Sequence, residues 1–144
     1  MNRSVCIDAS LVLDWLLAEE QNSRVSNLIN IWNKDKYEIV SAPLFYAEVT
    51  SVLREKVYFR KINPERGEQA FLLSQTIKIR CYRDTKIQMK AWELAKILNL
   101  PRAYDMQYLA VAELEDCELW TADRKLVNSL KGKNERVRWV GEST

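Results

Sequence analysis

The sequence predicts an α/β fold: a central, mostly parallel sheet of four to five strands covered by helices on both faces. Three observations lead to this prediction. Short runs rich in β-branched residues alternate along the chain with longer segments whose apolar residues recur at helical spacing. Glycine and proline number only three each, too few for a loop-rich fold. The 144 residues show no repeat, linker or low-complexity segment, so we expect a single domain over residues 1–144.

The sequence of the N-terminal third predicts two strands and the first helices. Ser4–Asp8 reads S-V-C-I-D, a run typical of a buried strand, and Ser10–Ala18 follows at once with the apolar pattern of a helix packed on a sheet. Apolar residues at helical spacing predict another helix at Asn22–Trp32, and Tyr37–Ser41 is the second predicted strand. Pro43 fits the first position of the next helix, where a missing N–H costs no hydrogen bond.

The middle of the chain continues the alternation. Asn63-Pro64 supplies an N-cap and a first helical residue for a helix through about Ile77. Lys78–Tyr82, K-I-R-C-Y, is the third predicted strand. Thr85-Lys86-Ile87-Gln88 has the form of a capping box, which predicts a helix from Thr85 to about Leu98.

The C-terminal third contains the most apolar helix. Tyr104–Glu113 is apolar or aromatic at almost every position, so as a helix it would be buried nearly all round. Pro101, just upstream, marks where this helix begins. The remaining predicted elements are a fourth strand at Glu118–Thr121, a short helix from Asp123 to about Leu130 and a last strand at Val137–Val140.

The composition excludes several classes of site. Histidine is absent, which removes Ser-His-Asp and Cys-His catalysis and histidine-bound zinc. Cys6, Cys81 and Cys117 lie far apart without a zinc-binding spacing, so we expect small core residues of a reducing compartment. The formal net charge of +2 gives no strong nucleic-acid footprint for the whole molecule. Without a signal pattern or an apolar run of membrane-spanning length, we expect a cytoplasmic protein that binds no membrane.

Four acidic residues are the candidates for a functional site. Asp8 ends the first strand and Asp123 lies two residues past the fourth, so parallel strands bring both to one edge of the sheet. Glu48 falls in a core-facing helical stripe and Asp105 opens the most apolar helix, so both are expected on the buried side of a helix. Converging carboxylates raise one another's pKa and are costly to bury without a counter-charge. The natural compensator is a divalent cation with oxygen ligands, Mg²⁺ or Mn²⁺.

Each acid also has a purely structural explanation. Asp8 and Asp123 could cap the helices that follow them. Asp105 could be an acid favoured only by the helix dipole. Glu48 is the hardest to explain in this way, because the apolar stripe turns it inward.

Neighbouring polar residues divide into two groups. Ser10 and Thr121 could support the acids by hydrogen bonding, although capping and strand propensity explain them nearly as well. The remaining aspartates considered, which lie within a helix, before a capping threonine and in a turn, are not site candidates: Asp14, Asp84 and Asp116.

Each of the four acids lies in a short motif. In chain order the motifs are C-I-D-A-S at Cys6–Ser10, F-Y-A-E-V at Phe45–Val49, Y-D-M-Q-Y-L-A-V-A-E at Tyr104–Glu113 and L-W-T-A-D-R-K-L at Leu119–Leu126. Together they resemble the motifs of PIN-domain nucleases, and most of all those of the VapC-type toxins of bacterial and archaeal toxin–antitoxin pairs. The resemblance spans the chain with normal spacing and keeps all four acidic positions intact.

The resemblance implies a PIN-like three-layer fold and an acidic metal site that binds magnesium or manganese. Asp8, Glu48 and Asp105 would be the principal ligands, with Asp123 helping to hold a second ion or the attacking water. It also implies a metal-dependent endoribonuclease that cuts single-stranded or looped RNA, acts as the toxin of a type II toxin–antitoxin system, forms a dimer and is inhibited by a small cognate antitoxin.

Two further predictions concern surfaces. Arg102 and Arg124 flank two of the acids and are candidates for contacts with RNA phosphates. Tyr58 and Phe59 stand beside basic residues, a composition suited to interfaces, so the homodimer is expected to use the helices around Phe45–Ile77.

Other functions fit part of the pattern. A housekeeping RNA-processing or DNA-flap nuclease of the same family is one alternative, and a catalytically inactive PIN-like binding module is another. A phosphotransferase with an aspartyl nucleophile fits Asp8, but the second aspartate expected two residues later is Ser10.

Overall fold

The computed structural model describes residues 3–18, 24–130 and 132–142. The strands are β1 (Ser4–Ile7), β2 (Glu38–Ser41), β3 (Arg80–Cys81), β4 (Leu119–Thr121) and β5 (Val137–Trp139). The helices are α1 (Ala9–Leu16), α2 (Arg24–Lys34), α3 (Phe45–Tyr58), α4 (Pro64–Ser74), α5 (Lys86–Ile97), α6 (Met106–Leu114) and α7 (Arg124–Leu130), and a 3₁₀ turn follows at Val140–Glu142. Every predicted strand and helix is present with its ends moved by a few residues; the predicted helix start at Asn22 lies outside the described residues.

The five strands form one all-parallel sheet in the order β3-β2-β1-β4-β5, which confirms the predicted α/β fold. Strand β1 pairs with β2 on one side and with β4 on the other, and Thr121 of β4 is in register with Trp139 of β5. The strand order therefore reverses between β1 and β4. In open parallel sheets such a reversal leaves a crevice at the carboxyl ends of the strands, where sites form.

The core lies on both faces of the sheet. Three consecutive residues of β1 are no more than 2% exposed: Val5, Cys6 and Ile7. Because successive side chains of a strand point to opposite faces, helices must cover the sheet on both sides. Helix α6 packs against β1, β2, β4 and α5 and is buried almost all round, as its composition predicts. None of the described helices has the length and apolar character needed to span a bilayer.

One predicted helix start and one predicted helix cap are wrong. Helix α3 begins at Phe45, two residues after Pro43, because residues 43–44 form a turn closed by the amide of Phe45 on the carbonyl of Ala42 at 3.0 Å. Thr85 does not cap α5, since its backbone is helical and its side chain makes no capping hydrogen bond. The carboxylate of Asp84 accepts the amide of Lys86 at 2.8 Å instead, so the aspartate one residue earlier displaces the threonine from this role.

The start of α4 matches its prediction. Asn63 Oδ1 accepts the amide of Arg66 at 2.7 Å, and Pro64 occupies the first helical position. The helix ends at Ser74, three residues before the predicted end at Ile77.

Candidate active site

Asp8 lies between β1 and α1, at the carboxyl edge of the sheet. Its Oδ1 accepts the amide of Leu11 at 3.1 Å and the hydroxyl of Ser10 at 2.7 Å, and its Oδ2 accepts the hydroxyl of Thr121 at 2.5 Å. Burial raises the pKa of Asp8 to about 6; these hydrogen bonds oppose that rise, and the negative charge of Asp105 adds to it. Asp8 therefore caps α1 and is also fixed to β4.

A hydrogen-bond network extends from Asp8 toward Asp123. Ser10 Oγ and Thr121 Oγ1 lie 3.1 Å apart. Ser10 Oγ accepts the amide of Ala122 at 3.0 Å, and Thr121 Oγ1 accepts the amide of Asp123 at 3.0 Å. The two hydroxyls thus contact one acid directly and hold the backbone that carries another.

Asp123 caps α7. Its Oδ1 accepts the amides of Lys125 and Leu126 at 3.0 and 3.2 Å. Its Oδ2 accepts no hydrogen bond from the described residues. Asp123 thus fulfils a structural role with one oxygen and presents the other at the sheet edge.

Glu48 lies in the first turn of α3 and is partly buried. Tyr108 of α6 donates its hydroxyl to Glu48, with Oη 3.4 Å from Oε1 and 3.3 Å from Oε2. The pKa of Glu48 is raised to about 7, first by burial and then by the charges of Asp105 and Asp8, with a smaller contribution from Asp123. Tyr108 opposes this rise. The negative charges of the other three acids thus all raise the pKa of Glu48.

Asp105 immediately precedes α6 and is exposed, so the prediction that it lies on the buried side of its helix is wrong. The reason is that α6 begins one residue later, and its buried face starts at Met106. The side chain of Asp105 makes no capping hydrogen bond. Partial loss of hydration, and then the negative charge of Asp123, raise the pKa of Asp105. Helix capping therefore does not explain this acid.

The four carboxylates form an oxygen-only donor set without a counter-charge. Within residues 3–18, 24–130 and 132–142, no lysine or arginine forms an ion pair with any of them. Over the same residues, no group of three acidic or cysteine side chains is arranged to hold one metal ion. The site is thus a set of electrostatically coupled carboxylates rather than a closed ligand cage. Its chemistry suits Mg²⁺ or Mn²⁺, which bind a few carboxylates and keep several waters.

Tyr108 is a site residue that was not predicted. It is only 1% exposed, and burial followed by the charges of Glu48 and Asp8 raises the pKa of its hydroxyl well above the usual value. The sequence holds one signal for it: Tyr108 follows Asp105 by three residues, a spacing that places both on one helix face.

The two predicted phosphate-binding arginines have different surroundings. Arg124 directly follows Asp123, and its guanidinium lies over the ring of Trp139, 4.8 Å from the ring centroid. Arg102 is exposed in the segment before α6, three residues from Asp105, and lines a shallow cleft with Trp92. Both lie near an acid in sequence, but only Arg124 is held by an aromatic partner.

Comparison with known proteins identifies one family. The sequence model of the PIN domain matches residues 5–129, which include all four acids. No curated protein sequence matches the chain.

Solved structures share the fold over nearly the whole length. VapBC2 from Rickettsia felis bound to a DNA fragment from its promoter gives a TM-score of 0.68 at 12% identity, covering 94% of this chain and 98% of the other. A toxin–antitoxin complex from Klebsiella pneumoniae gives 0.63 at 16% identity, with coverage of 93% and 95%. Mycobacterium tuberculosis VapC20, described as a toxin that cleaves the sarcin–ricin loop, gives 0.62 at 14% identity, with coverage of 93% and 98%. At these identities the likeness concerns the fold.

Proposed function

The chain belongs to the PIN-domain family, and from this premise we propose that it is a divalent-metal-dependent endoribonuclease that acts as the toxin of a toxin–antitoxin pair. One observation carries the proposal: the charges of Asp8, Glu48, Asp105 and Asp123 interact at one edge of the sheet, and no lysine or arginine of the described residues pairs with them. Perturbed carboxylates gathered in a crevice are typical of functional sites. Helix capping accounts for Asp8 and Asp123 but for neither Glu48 nor Asp105.

The four acids would share the binding of Mg²⁺ or Mn²⁺. Asp8, Glu48 and Asp105 are the principal ligands in this proposal, and Asp123 helps to hold a second ion or the attacking water. An ion held by these carboxylates would supply a polarised water for in-line attack and neutralisation of charge on the phosphate oxygens.

Three hydroxyls orient two of these carboxylates. Ser10 and Thr121 donate to opposite oxygens of Asp8, and Tyr108 donates to Glu48. Each hydroxyl therefore limits the rotation of the carboxylate it contacts, which preorganises oxygen donors for a ligand or a water.

The alternatives within the family are weaker. A catalytically inactive binding module gives no reason to keep four uncompensated acids, which destabilise the fold when no cation is bound. A housekeeping RNA-processing or DNA-flap nuclease fits the acids equally well. The similar structures from K. pneumoniae and R. felis come from toxin–antitoxin systems, which favours a toxin.

A toxin of this kind needs an inhibitor, and we expect a cognate antitoxin that places an arginine or lysine among the four acids. A cationic side chain is the simplest group to neutralise such a cluster, and an arginine can bind carboxylates through two parallel hydrogen bonds. Co-purification of the protein from its native operon should yield a complex. A complex whose partner stays well away from the acids would contradict this mode of inhibition.

The proposal is tested by metal-dependent cleavage. A fluorescein-labelled single-stranded RNA should be cut in Mg²⁺ or Mn²⁺ and left intact in EDTA. Glu48→Gln should abolish cleavage and weaken Mn²⁺ binding measured by calorimetry. Asp14→Asn, which removes an exposed acid of α1, should change neither. Cleavage that persists in EDTA, or that survives Glu48→Gln, would contradict the proposal, whereas Mn²⁺ and RNA binding without cleavage would indicate a binding module.

A further inference from the structure

A cleft of about 480 Å³ lies between α7 and β5, and its lining begins at Arg124, the residue after Asp123. Helix α7 starts immediately after Asp123, and Trp139 stands at the carboxyl end of β5, in register with Thr121. Arg124 and Trp139 therefore meet at the end of the cleft that borders the acids. The rest of the cleft runs away from the acids, toward Gly132 and Asn134.

Arg124 contacts an aromatic ring. Its guanidinium lies 4.8 Å from the centroid of the Trp139 ring, and the residue is exposed. Among the described residues no carboxylate pairs with it. A guanidinium on an aromatic ring keeps its N–H donors available while the ring restricts its position. Arg124 is therefore an oriented cation whose hydrogen-bond donors have no carboxylate partner in the part of the chain that the structure describes.

Trp139 is in turn held by the backbone that follows it. A Cβ built on Gly141 would lie 2.3 Å from Cζ2 and Cη2 of the indole, so the ring packs directly against this glycine. The carbonyl of Gly141 accepts a hydrogen bond from Nη1 of Arg24, which ties the segment to α2. Any side chain at position 141 would displace the indole and, with it, the support of Arg124.

Within the described part of the chain, the other charged residues that line the cleft do not offer a second unpaired positive charge. Arg138 donates to the carboxylate of Glu118 at 2.8 Å and is thereby neutralised. Glu135 also lines the cleft and brings a negative charge, while Asn128 adds an uncharged amide. The positive charge available to a ligand is thus concentrated at the end next to the acids.

We propose that this end of the cleft is a subsite for single-stranded RNA, in which Arg124 binds a backbone phosphate next to the one that is cleaved and Trp139 positions Arg124. This inference rests on the proposed nuclease function, because it takes the acid cluster as the place of cleavage. A guanidinium binds phosphate through two parallel N–H donors, and the cleft lies within the roughly 300–1,000 Å³ typical of small-ligand sites. The bound strand follows the carboxyl edge of the sheet from the acids to Arg124.

The test uses RNA binding without cleavage. Anisotropy of a fluorescein-labelled single-stranded RNA, measured in EDTA at several salt concentrations, reports Kd independently of catalysis. Arg124→Ala should raise Kd about tenfold and reduce the slope of log K against log salt by about 0.7, the value for one phosphate contact on a single strand. Lys125→Ala removes the same charge from the neighbouring position of α7 and should change either value far less. Equal effects of the two variants would overturn the proposal.

The role of Trp139 is tested by coupling. Trp139→Leu should raise Kd several-fold when Arg124 is present and hardly at all when Arg124 is replaced by alanine, since its effect passes through the guanidinium. Trp139→Phe keeps an aromatic face and should restore most of the binding. Thermal unfolding of each variant identifies losses that come from misfolding. If Trp139→Leu changes Kd by the same factor with Arg124 and with alanine at position 124, Trp139 serves only in packing, and its proposed role in positioning Arg124 is overturned.

The two proposals fail in different ways. The protein could bind RNA through Arg124 and yet cut no RNA in Mg²⁺ or Mn²⁺. This result would contradict the proposed nuclease function and would support Arg124 as a phosphate contact. Alternatively, the protein could cleave RNA in a metal-dependent way while Arg124→Ala changes neither KM, nor Kd, nor the salt slope. This result would contradict the proposed subsite and support the proposed nuclease function.

Discussion

Tyr108 on α6 donates its hydroxyl to Glu48 on α3, with Oη 3.3 Å from Oε2 and 3.4 Å from Oε1. The contact joins two residues that are 60 positions apart in sequence, and it positions a carboxylate whose pKa is raised by burial and by the surrounding acids. Because the hydroxyl stabilises the ionised form of Glu48, it opposes that rise. The link therefore connects the packing of the core to the charge state of the candidate site.

Tyr108→Phe should weaken both metal binding and the fold. Loss of the hydroxyl raises the pKa of Glu48 further, so Mn²⁺ binding at pH 7 should fall several-fold and recover partly at pH 8.5, where Glu48 is ionised. The free energy of unfolding at pH 8 should fall by roughly 1 kcal/mol, since the contact is long for a hydrogen bond to a charged acceptor. Calorimetry and urea unfolding measure the two effects. Tyr104→Phe makes the same chemical change at an exposed tyrosine and should alter neither value; equal losses in both variants would contradict the role given to Tyr108.

The metal-free protein should lose stability as the pH rises. Folding raises the pKa of Asp8 to about 6 and that of Glu48 to about 7, in both cases chiefly through burial. Because these pKa values exceed the ordinary values of 3.8 and 4.5, the stabilising contribution is complete below about pH 4. It is lost as the pH rises through the folded pKa values, at about 1.4 kcal/mol for each unit by which a pKa is raised, so the loss by pH 8 should amount to several kcal/mol.

Urea unfolding in EDTA between pH 4 and pH 8 measures this loss. Glu48→Gln should flatten the profile by making the protein more stable at pH 8 and hardly changing it at pH 4, because the amide does not ionise. A wild-type profile that rises toward pH 8 would show that the acids are compensated in solution.

The sequence is sufficient to predict the edge on which Asp8 and Asp123 lie. Both follow short strands, and the parallel arrangement of strands in an α/β fold places the carboxyl ends together. The cap at Asn63 is equally local, since an asparagine before a proline marks a helix start. The absent cap at Thr85 also has a local setting: Asp84, one residue earlier, accepts the amide of Lys86, the first residue of α5, while the Thr85 side chain makes no capping hydrogen bond.

Contacts that depend on how elements cross are not predictable from one sequence. Whether Tyr108 or Tyr104 reaches Glu48 is decided by how α6 lies against α3. The position of Trp139 beside Arg124 requires the pairing of β4 with β5 and the register between Thr121 and Trp139. Asp105 is exposed because α6 and its buried face both begin at Met106, one residue later, a difference within the usual uncertainty of helix boundaries.

The sequence predicts a homodimer that uses the helices around Phe45–Ile77, and the chain exposes aromatic residues in this region. Tyr58 and Phe59 are 68% and 65% exposed at the end of α3, and their rings pack edge to face, 5.0 Å apart. We expect a dimer by light scattering at tens of micromolar. Replacing both residues by serine should give a monomer, because exposed aromatic residues supply much of the free energy of such interfaces.

A second exposed apolar pair provides the control for this prediction. Met89 and Trp92 of α5 are 74% and 68% exposed. Replacing both by serine removes a comparable apolar surface and should leave the dimer intact. A monomeric wild type, or a dimer that dissociates only when the α5 pair is changed, would show that the predicted surface is wrong.

Asp105→Asn separates a metal ligand from a helix-end acid. The substitution keeps the shape of the side chain and removes one negative charge next to Asp123, so it should abolish Mg²⁺-dependent RNA cleavage and weaken Mn²⁺ binding. Without metal the variant should be as stable as the wild type or more stable, because a repulsion is relieved and no capping hydrogen bond is lost. A role limited to the helix dipole predicts the opposite sign, a loss of roughly 0.3–1 kcal/mol. Asp14→Asn, at an exposed acid in α1, controls for the loss of a charge elsewhere in the chain. If the Asp105 variant is less stable in EDTA and still cuts RNA at the wild-type rate, Asp105 only stabilises the start of α6. It is then not a metal ligand of the candidate site.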